Sequence, residues 1–191
     1  MYIKNAHCLV TDSGSALEDD AAKLAYMGLL EKAKKDFGLK IAAYALLPGR
    51  ALVYFVTADA DLHSVMGGLG RDKSLPGYAA GKCKYKLIQP EIYAAHLARF
   101  IHLEPVKAEL AFKPEDYKWS SAAQYAGMNE GPADKDVVLA LLDGDPARAL
   151  EKYRTFMAEP VPGKFWRPFD KNRDAVLGDR DFETAHSPHF K

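Results

Sequence analysis

Two runs of β-forming residues separated by a single Pro-Gly pair constrain the fold of this chain more than any other feature. The runs cover residues 39–47 and 50–57, and Pro48 and Gly49 between them are typical of a tight turn. A connection of two residues joins antiparallel neighbours, so the pattern predicts a β-hairpin. The remaining elements must fit around that antiparallel pair.

Strand and helix patterns alternate on both sides of the hairpin. A β-rich run at residues 2–11 precedes a helix pattern that Ser15 or Asp19 can cap and that Gly38 ends. The later patterns are a brief helix at 61–70, a strand at 82–89, a helix from residue 91 that Pro105 ends, and helices at 119–125, 135–142 and 147–157. This order predicts an α+β fold, a ferredoxin-like antiparallel sheet with helices packed on it. We divide the chain into this domain, residues 1–126, and a C-terminal helical extension, residues 127–191.

Composition narrows the class of protein. The chain has 191 residues, 48% of them hydrophobic, which excludes a disordered protein and is enough for a real core. No apolar stretch reaches the roughly 18 residues of a membrane span, and the N-terminus lacks a signal-peptide pattern. Two cysteines without a CxxC motif fit a reducing compartment, so we expect a cytoplasmic protein without membrane association. No interface stripe predicts an oligomeric state.

Residues 100–121 carry a longer motif, FIHLEPVKAELAFKPEDYKWSS. It closely resembles a signature of the HUH-type single-tyrosine transposases, in particular the REP-associated tyrosine transposase group. In that group the stretch runs Tyr-Ile-His-Leu-Asn-Pro-Val-Arg-Ala-Gly, followed by Pro-Glu-Asp-Tyr-x-Trp-Ser-Ser. Two further stretches are similar to the family, AYALLPGRALVY at residues 43–54 and VLGDRDF at residues 176–182. The resemblance covers nearly the whole chain.

The resemblance implies a site with three parts. In the family, a His-x-His pattern on one strand and a polar residue of a helix hold a divalent metal that polarises the scissile phosphate. A tyrosine of the same helix attacks the phosphorus and forms a covalent 5′-phosphotyrosine to single-stranded DNA. In this chain the two histidines fall on Arg50 and Leu52, the tyrosine on Phe100, and the polar helix residue on Glu104.

The residues at these positions do not supply that chemistry. Phenylalanine has no nucleophilic oxygen, and neither arginine nor leucine binds Mg²⁺ or Mn²⁺ at neutral pH. We therefore expect no catalytic residue, no metal and no cofactor. Arg50 and Glu104 are predicted to form an ion pair in place of the metal, the alternative being two unrelated surface charges. Phe100 is interpreted as a core residue because Leu97 and Leu103 flank it at helical spacing.

Other side chains that could be reactive or bind a metal are interpreted as structural. Tyr93 lies two turns before position 100 and is interpreted as a packing residue rather than a displaced nucleophile. Ser120 and Ser121 are interpreted as helix caps. A new metal site is the alternative to structural roles for three histidines, namely His7, His96 and His102.

A basic segment at residues 71–107 bears on the choice of partner. It holds seven basic and three acidic residues, and the rest of the chain balances this surplus, because the whole has 26 of each. The candidate DNA-binding residues are Arg71, Lys73, Lys82, Lys84, Lys86 and Arg99. The three lysines of the predicted strand alternate and share one face, which binds phosphates or is simply solvated.

We therefore expect a transposase-like protein that binds single-stranded or hairpin DNA and has no nuclease or strand-transfer activity. The alternative is a protein-interaction or scaffold module that no longer binds DNA, because zero net charge weakens tight non-specific binding. An active enzyme with displaced residues is a third interpretation, for which the sequence offers no P-loop, GxSxG or HExxH motif.

Overall fold

The Pro-Gly pair forms the predicted hairpin. The computed structural model describes residues 4–13, 17–71, 83–170 and 176–187. Strands β2 (Lys40–Leu47) and β3 (Arg50–Val56) pair antiparallel, with Leu47 opposite Arg50 at the turn. Gly49 has a φ of 67°, a left-handed conformation that glycine adopts without the steric cost paid by other residues. The turn therefore matches the residue that the sequence places there.

A five-stranded sheet is built around the hairpin in the order β2-β3-β1-β4-β5. Strand β1 (His7–Asp12) runs antiparallel to both β3 and β4 (Cys83–Ile88). Strand β5 (Val176–Leu177) pairs parallel with β4. The first four strands have the ferredoxin-like order, so the predicted fold class is confirmed.

Helices cover both faces of the sheet. On one face, α1 (Asp20–Phe37) and α2 (Leu62–Arg71) bury side chains such as Tyr26 and Val65 against the strands. On the other face lies α3 (Pro90–Lys107), whose buried side chains include Leu97 and Ile101. Successive residues of a strand point to opposite faces, so each strand contributes to two hydrophobic cores.

The ends of α1 follow the predicted signals. The Asp19 side chain accepts a hydrogen bond from the Ala22 N–H at 2.7 Å, which makes Asp19 the cap rather than Ser15. Gly38 follows the helix with a φ of 63° and stops it.

Helix α3 does not end at Pro105, and this prediction was wrong. The helix continues to Lys107, with Pro105 buried in its last turn. Proline lacks an N–H, but so near the helix end this removes only one helical hydrogen bond. The Ala108 N–H donates to the Glu104 carbonyl and the Leu110 N–H to the Pro105 carbonyl, both at 2.9 Å, and these bonds close the helix. Glu104 and Lys107 therefore lie one turn apart on the same helix.

The part of the chain after α3, called the C-terminal part below, is mainly helical, as predicted for the extension. After a 3₁₀ turn at Pro114–Asp116, the described residues form five helices. These are α4 (Ala122–Tyr125), α5 (Asp136–Leu142), α6 (Pro146–Ala158), α7 (Arg167–Asp170) and α8 (Arg180–His186). Strand β5 in this part was not predicted.

The C-terminal helices share the core of α3. Val138, Ala149, Tyr153 and Phe169 are all buried in the same hydrophobic cluster as α3. The boundary at residues 126 and 127 stays an interpretation of the sequence. Within the described ranges, no helix is long and apolar enough to cross a membrane.

Candidate functional site

The four positions that the family resemblance singles out come together between β3 and α3. Arg50 and Leu52 lie two residues apart on β3, so both side chains face α3. Phe100 and Glu104 lie four residues apart on α3, so both share the helix face that meets the strand. Leu52 and Phe100 are each only 1% exposed. Two distant stretches of the sequence thus meet as the resemblance implied.

Arg50 and Glu104 form the predicted ion pair. An Arg50 Nη donates to one carboxylate oxygen of Glu104, and the Lys107 Nζ lies 3.0 Å from the other. The Glu104 side chain is 3% exposed, whereas those of Arg50 and Lys107 are 33% and 42% exposed. The alternative of two unrelated surface charges is therefore wrong. One buried carboxylate is shared between two partly exposed cations.

Phe100 is enclosed by aromatic rings from the C-terminal part. Its ring centroid lies 4.9 Å from that of Phe169 and 5.7 Å from that of Trp166. The Lys107 ammonium lies 4.5 Å from the Trp166 ring centroid, within the range of a cation–π contact. Tyr93 packs edge-on against Phe169, with centroids 6.2 Å apart. Phe100 and Tyr93 therefore occupy packing positions, as expected.

The donor set at this site does not fit a divalent metal. Arg50 and Leu52 supply no lone pair, and the Glu104 carboxylate already accepts from two cations. Among the described residues, no group of three or more His, Cys, Asp or Glu side chains is placed to hold a metal ion. No metal-dependent step can be derived from this arrangement of side chains.

A small cleft of about 50 Å³ opens beside the ion pair. Arg50, Lys84 and Lys86 line it, together with the Thr11 hydroxyl, and the Phe169 ring is part of its wall. Lys84 is exposed and Lys86 is 8% exposed. Both lysines lie on the side of β4 that faces α3. The cationic face predicted for this strand therefore lies next to the site and is not simply exposed to solvent. A separate cavity of about 430 Å³, between α3 and α6, is lined by none of the predicted site residues.

Arg99 does not lie on an exposed surface, contrary to what a DNA-binding role requires. It is 2% exposed, and its guanidinium carbon lies 4.5 Å from the Phe156 ring centroid and 5.4 Å from that of Phe165. An Arg99 Nη donates to the Glu159 carbonyl, while its Nε has no hydrogen-bond partner within the described residues. Side chains of the C-terminal part bury this cation.

Three of the other predicted cations cannot be placed at the site. Lys73 and Lys82 lie outside the described residues. Arg71 is the last residue of α2, and its side chain is also outside the described part. The DNA-binding role of these residues stays a prediction.

The three histidines have structural surroundings. The His102 Nδ1 lies 2.9 Å from the Tyr153 hydroxyl and its Nε2 lies 2.8 Å from the Ser121 Oγ. Complete burial lowers the pKa of His102 to about 3, so the ring is neutral. The His7 Nδ1 lies 2.5 Å from the Tyr54 hydroxyl, and burial lowers the pKa of His7 to about 4. His96 packs its ring against aromatic side chains.

Ser121 lies at the predicted N-cap position of α4, but its side chain does not cap the helix. It precedes α4, but its hydroxyl makes no capping hydrogen bond there. Instead the Ser121 Oγ accepts the Tyr44 N–H at 3.0 Å. The Ser120 Oγ accepts the Ala122 N–H at 3.2 Å and so does bond to the start of α4. The Ser121 hydroxyl is therefore used in a buried hydrogen bond with β2 and not in capping α4.

A solved structure has a similar fold. The chain is similar to a REP-associated tyrosine transposase bound to a REP hairpin, with a TM-score of 0.53 and 18% sequence identity. The match covers 72% of this chain and 90% of the other. No family model and no curated protein matches the chain. At this identity the likeness concerns the fold, and it agrees with the fold class predicted from the sequence.

Three residues of the site were missed by the sequence analysis. Lys107 was counted only as part of the basic segment, although its spacing of three from Glu104 on a helix was a signal for an ion pair. Trp166 and Phe169 carried no signal, because they reach Phe100 from more than 60 residues away.

Proposed function

We propose that this chain is a transposase-like DNA-binding protein that binds single-stranded or hairpin DNA and does not cleave it. The observation that carries this proposal is the Arg50–Glu104 ion pair beside the enclosed Phe100. A guanidinium stands where the resemblance implies a metal ligand, and a phenyl ring stands where it implies the nucleophile.

The absence of cleavage chemistry is supported by four side chains together. Phe100 offers no oxygen to attack phosphorus, and Leu52 offers no lone pair to a metal. The positive charge beside Glu104 is supplied by Arg50 and Lys107. Restoring any single group would leave the others missing, so an active enzyme would need residues from elsewhere in the chain.

DNA binding is supported by the fold and by the cations that border the site. The similar solved structure is bound to a REP hairpin. In this chain, Arg50, Lys84 and Lys86 converge on one cleft, and such groups attract phosphate. These features favour DNA over a protein partner as the ligand of this face.

The experiment measures binding and cleavage on the same substrate. The full chain is incubated with a labelled single-stranded hairpin DNA, with Mg²⁺ or Mn²⁺, and is analysed on native and denaturing gels. We expect a shifted band on the native gel that weakens as salt rises, because phosphate contacts are lost with counterion competition. We expect no shortened DNA and no covalent adduct on the denaturing gel.

Each possible failure has a distinct meaning. A cleaved product or adduct would contradict the inactive site, and a Tyr93→Phe control would show whether that tyrosine is a displaced nucleophile. No shift at low salt would contradict DNA binding and favour the protein-interaction module instead.

A further inference from the structure

The small cleft beside the ion pair is enclosed by five elements of the fold. Strands β1, β3 and β4 supply its floor, and aromatic rings of α3 and α7 close its side. Its volume of about 50 Å³ exceeds the roughly 10–15 Å³ that one water molecule needs. The space therefore has room for a small polar group but not for a base.

The cleft is lined by cations that the sheet places side by side. Thr11 is opposite Leu52 on β3 and opposite Lys84 on β4, so the register brings the hydroxyl and the lysine to one face. Lys86 follows on the same face two residues later, and Arg50 reaches the cleft from the start of β3. Three of the described lining side chains are cationic, and none of them is acidic.

The charge of this cleft favours an anion. Like charges that line one concave space raise its potential, and low-dielectric walls such as the Phe169 ring strengthen the field. Glu104 does not line the cleft, and its carboxylate is divided between Arg50 and Lys107. It therefore offsets the charge of the lining side chains only in part.

The donors match an oxyanion with several oxygens. A guanidinium presents a planar fork of N–H groups, each ammonium presents three donors, and a hydroxyl can donate one more. Halides would use these donors less completely than a phosphate group, whose oxygens accept from several directions.

We propose that the cleft binds one phosphate group through Arg50, Lys84, Lys86 and the Thr11 hydroxyl, without a metal ion. This inference rests on the proposed function, in which the bound phosphate group belongs to the backbone of single-stranded DNA. The same chemistry would also accept free inorganic phosphate, and the experiment separates the two sources.

The first arm measures DNA binding. Affinity for a single-stranded oligonucleotide is measured at several salt concentrations for the wild type, Lys84→Gln and Lys40→Gln. Lys40 is an exposed lysine on β2 and makes a control with the same change in charge. We expect Lys84→Gln to weaken binding and to reduce the slope of log affinity against log salt by about 0.7, the value for one phosphate contact. Lys40→Gln should leave both unchanged.

The second arm measures inorganic phosphate. The melting temperature of each protein is compared in phosphate and in chloride at matched ionic strength, with Lys86→Gln added to the set. We expect phosphate to raise the melting temperature of the wild type and of Lys40→Gln, because a ligand of the folded state stabilises it. The rise should be smaller in Lys84→Gln and in Lys86→Gln, and circular dichroism shows whether each variant is folded.

The outcomes distinguish this inference from the proposed function. If DNA binds but Lys84→Gln and Lys40→Gln behave alike, the cleft is not the phosphate site, although DNA binding stands. If DNA does not bind but phosphate stabilises the wild type more than Lys84→Gln, the cleft is an oxyanion site and the DNA partner is wrong. If neither ligand binds, both proposals are overturned.

Discussion

Replacing Arg50 alone should destabilise the protein more than replacing Arg50 and Glu104 together. Arg50→Met leaves the Glu104 carboxylate, whose side chain is 3% exposed, with the Lys107 ammonium 3.0 Å away. Removing one partner of a fully buried pair costs about 3–5 kcal/mol. Because Lys107 still neutralises one oxygen, we expect a loss of about 2–3 kcal/mol in the free energy of unfolding.

The reverse substitution should cost less. Glu104→Gln leaves Arg50 and Lys107, whose side chains are 33% and 42% exposed and can turn towards water. We expect a loss of about 1–2 kcal/mol. The double variant exchanges the pair for neutral side chains of similar size, which is often close to neutral in energy, so its loss should also be about 1–2 kcal/mol. The sum of the two single losses then exceeds the loss of the double variant by about 2 kcal/mol, which is a coupling energy typical of side chains in direct contact.

Unfolding in urea followed by circular dichroism measures all four free energies of the cycle. The same cycle on Lys118 and Asp20, whose side chains are 63% and 65% exposed, is the matched control and should be additive. If the Arg50–Glu104 cycle is also additive within about 0.5 kcal/mol, the ion pair does not hold α3 to β3 and the reasoning is refuted.

Two further predictions concern the network around His102. Burial lowers the pKa of His102 to about 3 in the folded protein, whereas a histidine of the unfolded chain has a pKa of 6.5. Between these two values the unfolded chain binds more protons than the folded one. The contribution of His102 to stability is therefore full above pH 6.5 and is lost as the pH falls towards 3. From pH 6.5 to 5 the slope should approach about 1.4 kcal/mol per pH unit for this group, and urea melts of His102→Gln should lack that contribution. An unchanged slope in the variant would count against it. Ser121→Ala should cost about 1–3 kcal/mol because the Tyr44 N–H loses its side-chain acceptor, and Ser120→Ala is the milder control; equal losses in denaturant melts would contradict this.

The parts of the fold that depend on neighbouring residues could be predicted from the sequence. Gly38 and Gly49 adopt left-handed backbone conformations that the sequence pattern anticipates, and they set the end of α1 and the hairpin turn. Strand β5 could not be predicted, because Val176 and Leu177 pair with residues almost 90 positions earlier. The persistence of α3 past Pro105 likewise depends on its burial in the core rather than on local propensity.

The site was predictable only where a resemblance aligned distant positions. It brought Arg50 and Glu104 together across 54 residues, and the ion pair forms. The sequence around Arg99 gives no indication of its burial, because Phe156 and Phe165 come from a separate part of the chain. The sequence shows how many cations a segment contains. It does not show which face of a helix will be covered by elements that come later in the chain.

Among the described residues of the segment 71–107, the positive surplus therefore does not form a broad basic surface. The Arg99 cation is buried among aromatic rings, and Lys107 is held by Glu104 and Trp166. Of the described cations in that segment, Lys84 and Lys86 face the cleft, where Arg50 joins them. Cations gathered at one point bind one phosphate rather than many, so this cleft should account for only about one phosphate contact in the salt dependence of DNA affinity. A chain of zero net charge is compatible with a nucleic-acid partner when cations converge locally in this way.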